Sequence, residues 1–340
     1  MLRSTIAILF LGISAIVFCS RPEPPAQEFP PSARPAFADS LSDLISPDAK
    51  LEKIETGLTF AMSGAPCWDD NRLFFSNISF NPPENSRTYR MGRGGNIHLI
   101  RENNGIITAM VPTGTGTFDC CETGGHRISE MDFQGKVIRT VAGEYQGVRL
   151  DNPYDLAMDA RGGIYFTDSH MAGPEFMQRT AGIYYIRPDS TVLRVNDDIL
   201  HPLGIALSPD GTFLYVTSTG GEDQGRYVQV FDIASDGILS NKRRFCELRL
   251  AIEAVEQAGS IPEAAGCEMD VAGNLYVAAT RGPGLQVFNA AGEYLGTIDS
   301  ASPVTNCTFG GPDMRTLYVS ALDGIYIMPT LLPRFQNSSS

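Results

Sequence analysis

Three of the four histidines in this chain, His126, His170 and His201, fall in loops beside expected strand ends, and Arg127, Tyr154, Asp155 and Glu268 lie close to the same places in the pattern. Imidazoles change charge near neutral pH and can move protons, while Arg, Tyr and carboxyl groups beside them can orient a small polar or sugar-like molecule. Glu122 and Asp168 border the same loops. Each residue also has a plainer reading. A loop histidine is commonly solvated, Asp155 can bond the backbone amides beside its strand, and Glu268 can be a solvated strand-end charge.

Other chemistries find little support. No Gly-x-Ser-x-Gly elbow, phosphate-binding glycine loop with lysine, or Cys-x-x-Cys pair occurs. Lys plus Arg number 26 against 39 Asp plus Glu, a net charge of −13 with no basic run, so nucleic acid and anionic membrane surfaces are not expected partners. Beyond Cys19 the cysteines do not suggest bridges: Cys120 and Cys121 are adjacent, with Cα atoms nearer than a disulfide allows. Cys67, Cys267 and Cys307 each open a predicted inner strand, where they are small buried residues or, if the thiols converge, soft-metal ligands.

The elements that position these residues come from one repeated stretch. Asp155 to Asp168 reads as a strand, a glycine turn and a second strand, and variants recur at Cys67–Asn77, Ile205–Ser218, Cys267–Ala279 and Cys307–Ala321. Their spacing is roughly 40 to 60 residues with one gap about twice as long, near the length of a propeller blade. Phe118–Asp132 fills that gap as a divergent copy, making six units. Turns for a second hairpin appear at Asn103–Gly105, Phe133–Gly135, Pro188–Ser190, Ser235–Gly237 and Ala290–Gly292, one fewer than the units require. The unassigned strand Leu51–Phe60 therefore supplies the outer edge of the sixth unit and closes the ring. The fold class expected is all-β, a six-bladed β-propeller. On this reading, removing residues 1–60 opens the ring and removing 1–45 does not.

Ile6 to Phe18 is an apolar run behind Arg3, too short to span a bilayer, and it ends at Cys19 before a proline-rich stretch. Residues 1–19 read as a signal peptide with a lipidated Cys19. Residues 20–50 form a tether with a short helix over Ala38–Ala49, 51–330 the propeller and 331–340 a polar tail. Export follows, with lipid attachment in a bacterial envelope the only membrane contact; the bulky Phe18 keeps an ordinary cleaved, secreted form open. Asn77, Asn306 and Asn337 begin Asn-x-Ser/Thr sequons, relevant only in a glycosylating source.

Six motifs at blade spacing resemble the gluconolactonase and regucalcin (senescence marker protein) family of six-bladed propellers. They are Pro66-Cys67-Trp68, Cys121 to Arg127 (CETGGHR), Asn152 to Leu156 (NPYDL), Gly204 to Gly211 (GIALSPDG), Gly273 to Val277 (GNLYV) and Cys307 to Gly311 (CTFGG). The resemblance implies hydrolysis of lactones, or of esters and phosphotriesters in relatives. It also implies a divalent ion, often calcium, held at the channel mouth by a Glu, two Asn and an Asp. Arg127 matches a family position that can contact substrate. The ion's four positions here fall on Gly64, Tyr154, Leu203 and Ala265, and a one-residue slip at the first offers only Ser63. No cofactor is therefore expected in the family manner. Two readings remain: a divergent lactone or ester hydrolase with a rebuilt, metal-free or relocated channel-mouth site using His126, Arg127 and Tyr154, or a non-catalytic propeller that binds a small polar or sugar-like ligand or a protein partner.

Overall fold

The computed structural model describes residues 38–170, 181–199, 201–218, 226–249, 263–280, 282 and 284–334. The apolar leader, Cys19 and the proline-rich stretch to residue 37 lie outside them. Apolar strands separated by Gly, Asn and Asp turns form six four-stranded antiparallel sheets, the blades of a β-propeller. Their inner strands are Ser63–Asp69, Ile107–Pro112, Pro153–Met158, Pro202–Leu207, Glu263–Met269 and Val304–Gly310. All begin at one end of the central channel, here called the mouth, and run toward the tight turns at the other, the hairpin end. Among the described residues no helix is long and apolar enough to cross a membrane.

Closure takes the expected form but with less strand. Glu52–Lys53 pairs with Gly324–Pro329 as the outer strand of blade six, extended by the Ile54 amide bonding the Ile325 carbonyl at 2.8 Å. Lys53 adds an exposed ion pair to Asp323 at 2.7 Å. The rest of Leu51–Phe60 leaves the sheet: Gly57, at φ 69°, turns the chain, and Ile54, Leu58 and Phe60 pack over Leu73 and Phe75 of blade one.

Three local expectations need correction. Asn103–Gly105 is the crossover between blades one and two, and the outer turn of blade one is Gly92–Asn96. Buried Asn104 donates to Thr88 Oγ1 at 2.9 Å, tying that crossover to the preceding blade, which explains a turn-like sequence without a hairpin. In blade two, Phe118–Asp132 contributes the second and third strands, Thr117–Glu122 and Arg127–Asp132, while the inner strand is Ile107–Pro112. That strand is followed by a Thr-Gly-Thr-Gly turn unlike those of the other copies. Finally, the Ala38–Ala49 helix is one 3-10 turn, Leu41–Asp43, capped when Asp43 accepts the Asp39 and Ser40 amides at 3.0 Å.

Behind that turn, Leu44 and Ile45 are buried against Phe309, Met314 and Val319 of blade six. The tail read as polar is anchored beside them: the Leu331 amide bonds the Leu44 carbonyl at 2.8 Å and the Arg334 amide bonds Met314 at 3.1 Å. All six cysteines of the described residues are free and buried. Strand alternation explains the adjacent pair, since Cys120 faces the blade one–two interface and Cys121 the two–three interface.

Candidate functional site

Every inner strand carries a register irregularity near its start, for example between Gly64 and Cys67, Pro153 and Leu156, Pro202 and Ile205, and Ala264 and Cys267. A bulge removes carbonyls from the ladder and re-aims side chains, and the four family ion positions all fall at these bulges. The freed carbonyls are taken by buried threonines. Thr108, Thr167 and Thr217 donate to the carbonyls of Tyr154 at 2.7 Å and of Leu203 and Ala265 at 2.6 Å, each reaching the next blade. Thr305 closes the series onto Ser63 at 2.8 Å. A Cβ on Gly64 would meet Ile78 Cδ1 at 2.7 Å, so that space is filled, while Leu203 packs against the core shared by blades five and six and Ala265 is buried.

At the mouth, Asp151 holds two of the histidines, and the third joins them through His170. Fully buried Asp168 accepts the Asp151 and Asn152 amides at 2.9 and 2.7 Å, which sets the loop entering the third inner strand. Asp151 Oδ2 lies 3.3 Å from His170 Nδ1, and its backbone carbonyl accepts a hydrogen bond from His126 Nδ1. His201 Nδ1 bonds the His170 carbonyl at 2.6 Å and its ring stacks on His170 with centroids 5.7 Å apart. A carboxylate only accepts, so Asp151 selects the His170 tautomer protonated on Nδ1 and leaves Nε2 as a proton acceptor. The His170 side chain is 25 % exposed and within reach of water.

Arg127 belongs to a different network. Its guanidinium meets buried Glu122 at 2.8 Å, and Glu122 also takes Arg101 at 2.8 Å and Ser129 at 2.6 Å. Burial works to raise the Glu122 carboxyl, but the hydrogen bonds from Arg101 and Ser129 outweigh it and hold the group below the usual range. Arg127 therefore braces blade two. Tyr154 is half-buried, and burial, then the charge of Asp155, pushes its phenol up, so it stays protonated.

Asp155 and Glu268 face the other half of the channel. A cavity of about 510 Å³ lies there, lined by Trp68, Met110, Asp155, Ile205, Glu268 and Asn306, one from each inner strand. Glu268 is not a solvated rim charge: three residues beyond Ala265 toward the hairpin end, it pairs with Arg334 at 3.2 Å. Asp155 accepts the Leu156 amide at 3.0 Å and the Ile205 amide at 3.3 Å, confirming its backbone-bonding reading. Burial pushes its carboxyl up to about 8, against those bonds, with the Glu268 charge adding to the rise.

The folded state thus holds the Asp155 proton more tightly than the unfolded chain. The stability this contributes is fully present below the ordinary carboxyl pKa of 3.8 and is lost as pH rises toward about 8. Within that window one proton corresponds to a slope of about 1.4 kcal/mol per pH unit. Urea unfolding of the wild type should accordingly lose stability between about pH 5 and 8 more steeply than Asp155→Asn. Equal slopes would return the carboxyl to an ordinary pKa.

The seven candidate residues therefore separate. His126, His170 and His201 converge at the mouth, Asp155 and Glu268 line the axial cavity, Tyr154 lies in the bulge between, and Arg127 braces its blade. Sequence reasoning missed Asp151, whose position directly before the Asn152-Pro153 motif was the available signal, and Arg334, for which there was none. Among the described residues no three His, Cys, Asp or Glu side chains stand together as a metal-holding group.

Residues 62–323 match the family model described as SMP-30/Gluconolactonase/LRE-like region. The gluconolactonase of Zymomonas mobilis is 26 % identical over 84 % of this chain and 82 % of its own. The pentonolactonase of Haloferax volcanii is 27 % identical over 76 % of this chain and 81 % of its own. A solved gluconolactonase from Xanthomonas campestris superposes with a TM-score of 0.72 at 24 % identity, over 86 % of this chain and 92 % of that one. With six blades, the shared motifs and a match spanning most of the propeller, the chain belongs to the SMP-30/gluconolactonase/LRE-like family.

Proposed function

We propose that this protein is an exported hydrolase of lactones or related small esters that works without the family cation, with His170, oriented by Asp151, as the general base. The Asp151–His170 pair at the mouth carries the reading. Water at Nε2 attacks the ester carbonyl and passes its proton to His170. As the ring C–O bond breaks, the imidazolium returns that proton to the departing alkoxide, giving the hydroxy acid. The relatives' activities support lactones as the substrate class.

A hard divalent cation does not fit the family positions here. Gly64, Leu203 and Ala265 offer no side-chain oxygen, the Gly64 space holds Ile78, and the carbonyls of Leu203 and Ala265 already accept threonine hydroxyls. A cation site would stabilise the fold by about 2.7 kcal/mol at a hundredfold excess over Kd. The expected results are no thermal shift with millimolar calcium, and lactone hydrolysis at the same rate in EDTA and in calcium. Hydrolysis abolished by the chelator would overturn the mechanism. The filled cation positions also favour a second reading, capture of a ligand without turnover; saturable lactone binding with no ring opening would select it.

A further inference from the structure

We infer that the substrate carries a compact apolar arm, an alkyl or aryl substituent on the lactone or ester, which seats in a pocket between Phe80 and Ile106; this rests on the hydrolase reading. A cavity of about 200 Å³ opens at the mouth, lined by Phe80, Ile106, Gly124, His126, Asp151 and Asn152. Asp151 is common to this pocket and to the His170 pair, so an arm held here keeps the attached ester on the His170 side of the mouth. The volume is below the 300–1,000 Å³ or so of pockets for larger ligands, which suits a short chain or one ring.

Two features show a built pocket. Phe80 is 50 % exposed, yet its loop is held: Ser86 Oγ accepts the Ser79 amide at 2.9 Å and donates to the Ser79 carbonyl at 3.0 Å. Ile106, a β-branched residue, stands at φ 58°, a conformation such residues rarely adopt, and His126 across the pocket stands at 55°. Buried Asn104 holds Ile106 there by accepting its amide at 2.9 Å. Gly124 leaves room for it, since a Cβ would lie 2.9 Å from Ile106 Cδ1. Surroundings that enforce an unfavourable backbone to place an apolar side chain at a site mark that side chain as functional.

The polar atoms of the pocket argue against a sugar ring. Thr123 Oγ1 donates to the Pro153 carbonyl at 2.6 Å, Asn152 Nδ2 to the Ser169 carbonyl at 3.2 Å, and His126 Nδ1 is engaged by Asp151. A polyhydroxylated group would surrender hydrogen bonds to water and find these three donors already engaged, whereas an apolar arm loses none.

The test is kcat/KM on three γ-lactones: unsubstituted, phenyl-substituted and polyhydroxylated. The phenyl compound is expected to exceed the other two by about tenfold or more, and Phe80→Ala and Ile106→Gly should each collapse that ratio. Glycine adopts the Ile106 backbone without strain, so the second variant removes the wall and keeps the loop. A preference for the polyhydroxylated lactone, or a phenyl preference that survives in both variants, would overturn the inference. Binding of the phenyl-substituted lactam, which resists hydrolysis, separates the two claims. Tight lactam binding weakened by Phe80→Ala, with no lactone turned over, keeps the pocket and rejects the hydrolase; turnover with no lactam preference does the reverse.

Discussion

Replacing His170 with alanine should lower kcat for lactone hydrolysis by about 10²–10⁴-fold, the contribution of a positioned general base. The side chain is partly exposed, and among the described residues its ring contacts are Asp151 and the face of His201, neither of them in the propeller core. Asp151→Asn tests the orientation separately. An amide turned to donate its N–H favours the opposite tautomer, with Nδ1 as acceptor and the proton on Nε2, and kcat should fall by a similar factor while KM changes little. The split between constants separates chemistry from damage: in His170→Ala the melting temperature and KM should stay near wild type while kcat falls. Activity within about threefold of wild type in that variant would remove His170 from the mechanism.

Deleting residues 1–60 should leave the chain unable to fold, and deleting 1–45 should weaken it severely, whereas removing 1–37 leaves every described contact intact. The longest deletion strips the Glu52–Lys53 strand from blade six, exposing an unpaired edge where the ring should close. It also uncovers Leu73 and Phe75, over which Ile54, Leu58 and Phe60 lie. The intermediate deletion removes Leu44 and Ile45, 0 % and 8 % exposed. Truncating one such side chain costs about 2–5 kcal/mol. Total stability is only about 5–15 kcal/mol, so losing both consumes a large part of it. Here the structure reverses the sequence-based expectation that 1–45 is dispensable. Thermal melting of the three truncations decides the matter, with Leu44→Ala as the conservative check, and a 1–45 deletion that melts with the wild type would show the buried Leu44–Ile45 segment to be idle.

Much of the architecture was legible in the sequence because it depends on local patterns. Period-two alternation with Gly, Asn and Asp turns marks strands, and counting hairpins was enough to find the missing edge at the N-terminal side. The errors came where local chemistry is ambiguous. Asn103–Gly105 has turn residues, but Asn104 uses its side chain to bridge blades, and the edge strand at Glu52–Lys53 stops well short of the Phe60 to which alternation alone would have continued it.

The site was legible only as a set of residue types. That three histidines lie near one end, that Gly64, Leu203 and Ala265 carry no ligand oxygen, and that the cysteines have no neighbours suited to bridging are all statements about sequence. Which of these residues meet was decided by the tertiary structure. A bulge in every inner strand shifts the alternation, so counting by twos past it does not say which side chain reaches the axis. Hence Asp155 and Glu268 turned out to share the axial cavity while the histidines stayed at the mouth. Asp151 and His170 meet at the open end of the blade-three hairpin, beyond the Pro153–Asp168 pair, while Phe80 and Ile106 come from two different blades to form one pocket. Such meetings depend on how neighbouring sheets pack and on buried polar anchors such as Asp168 and Asn104, and no local pattern along the chain encodes them.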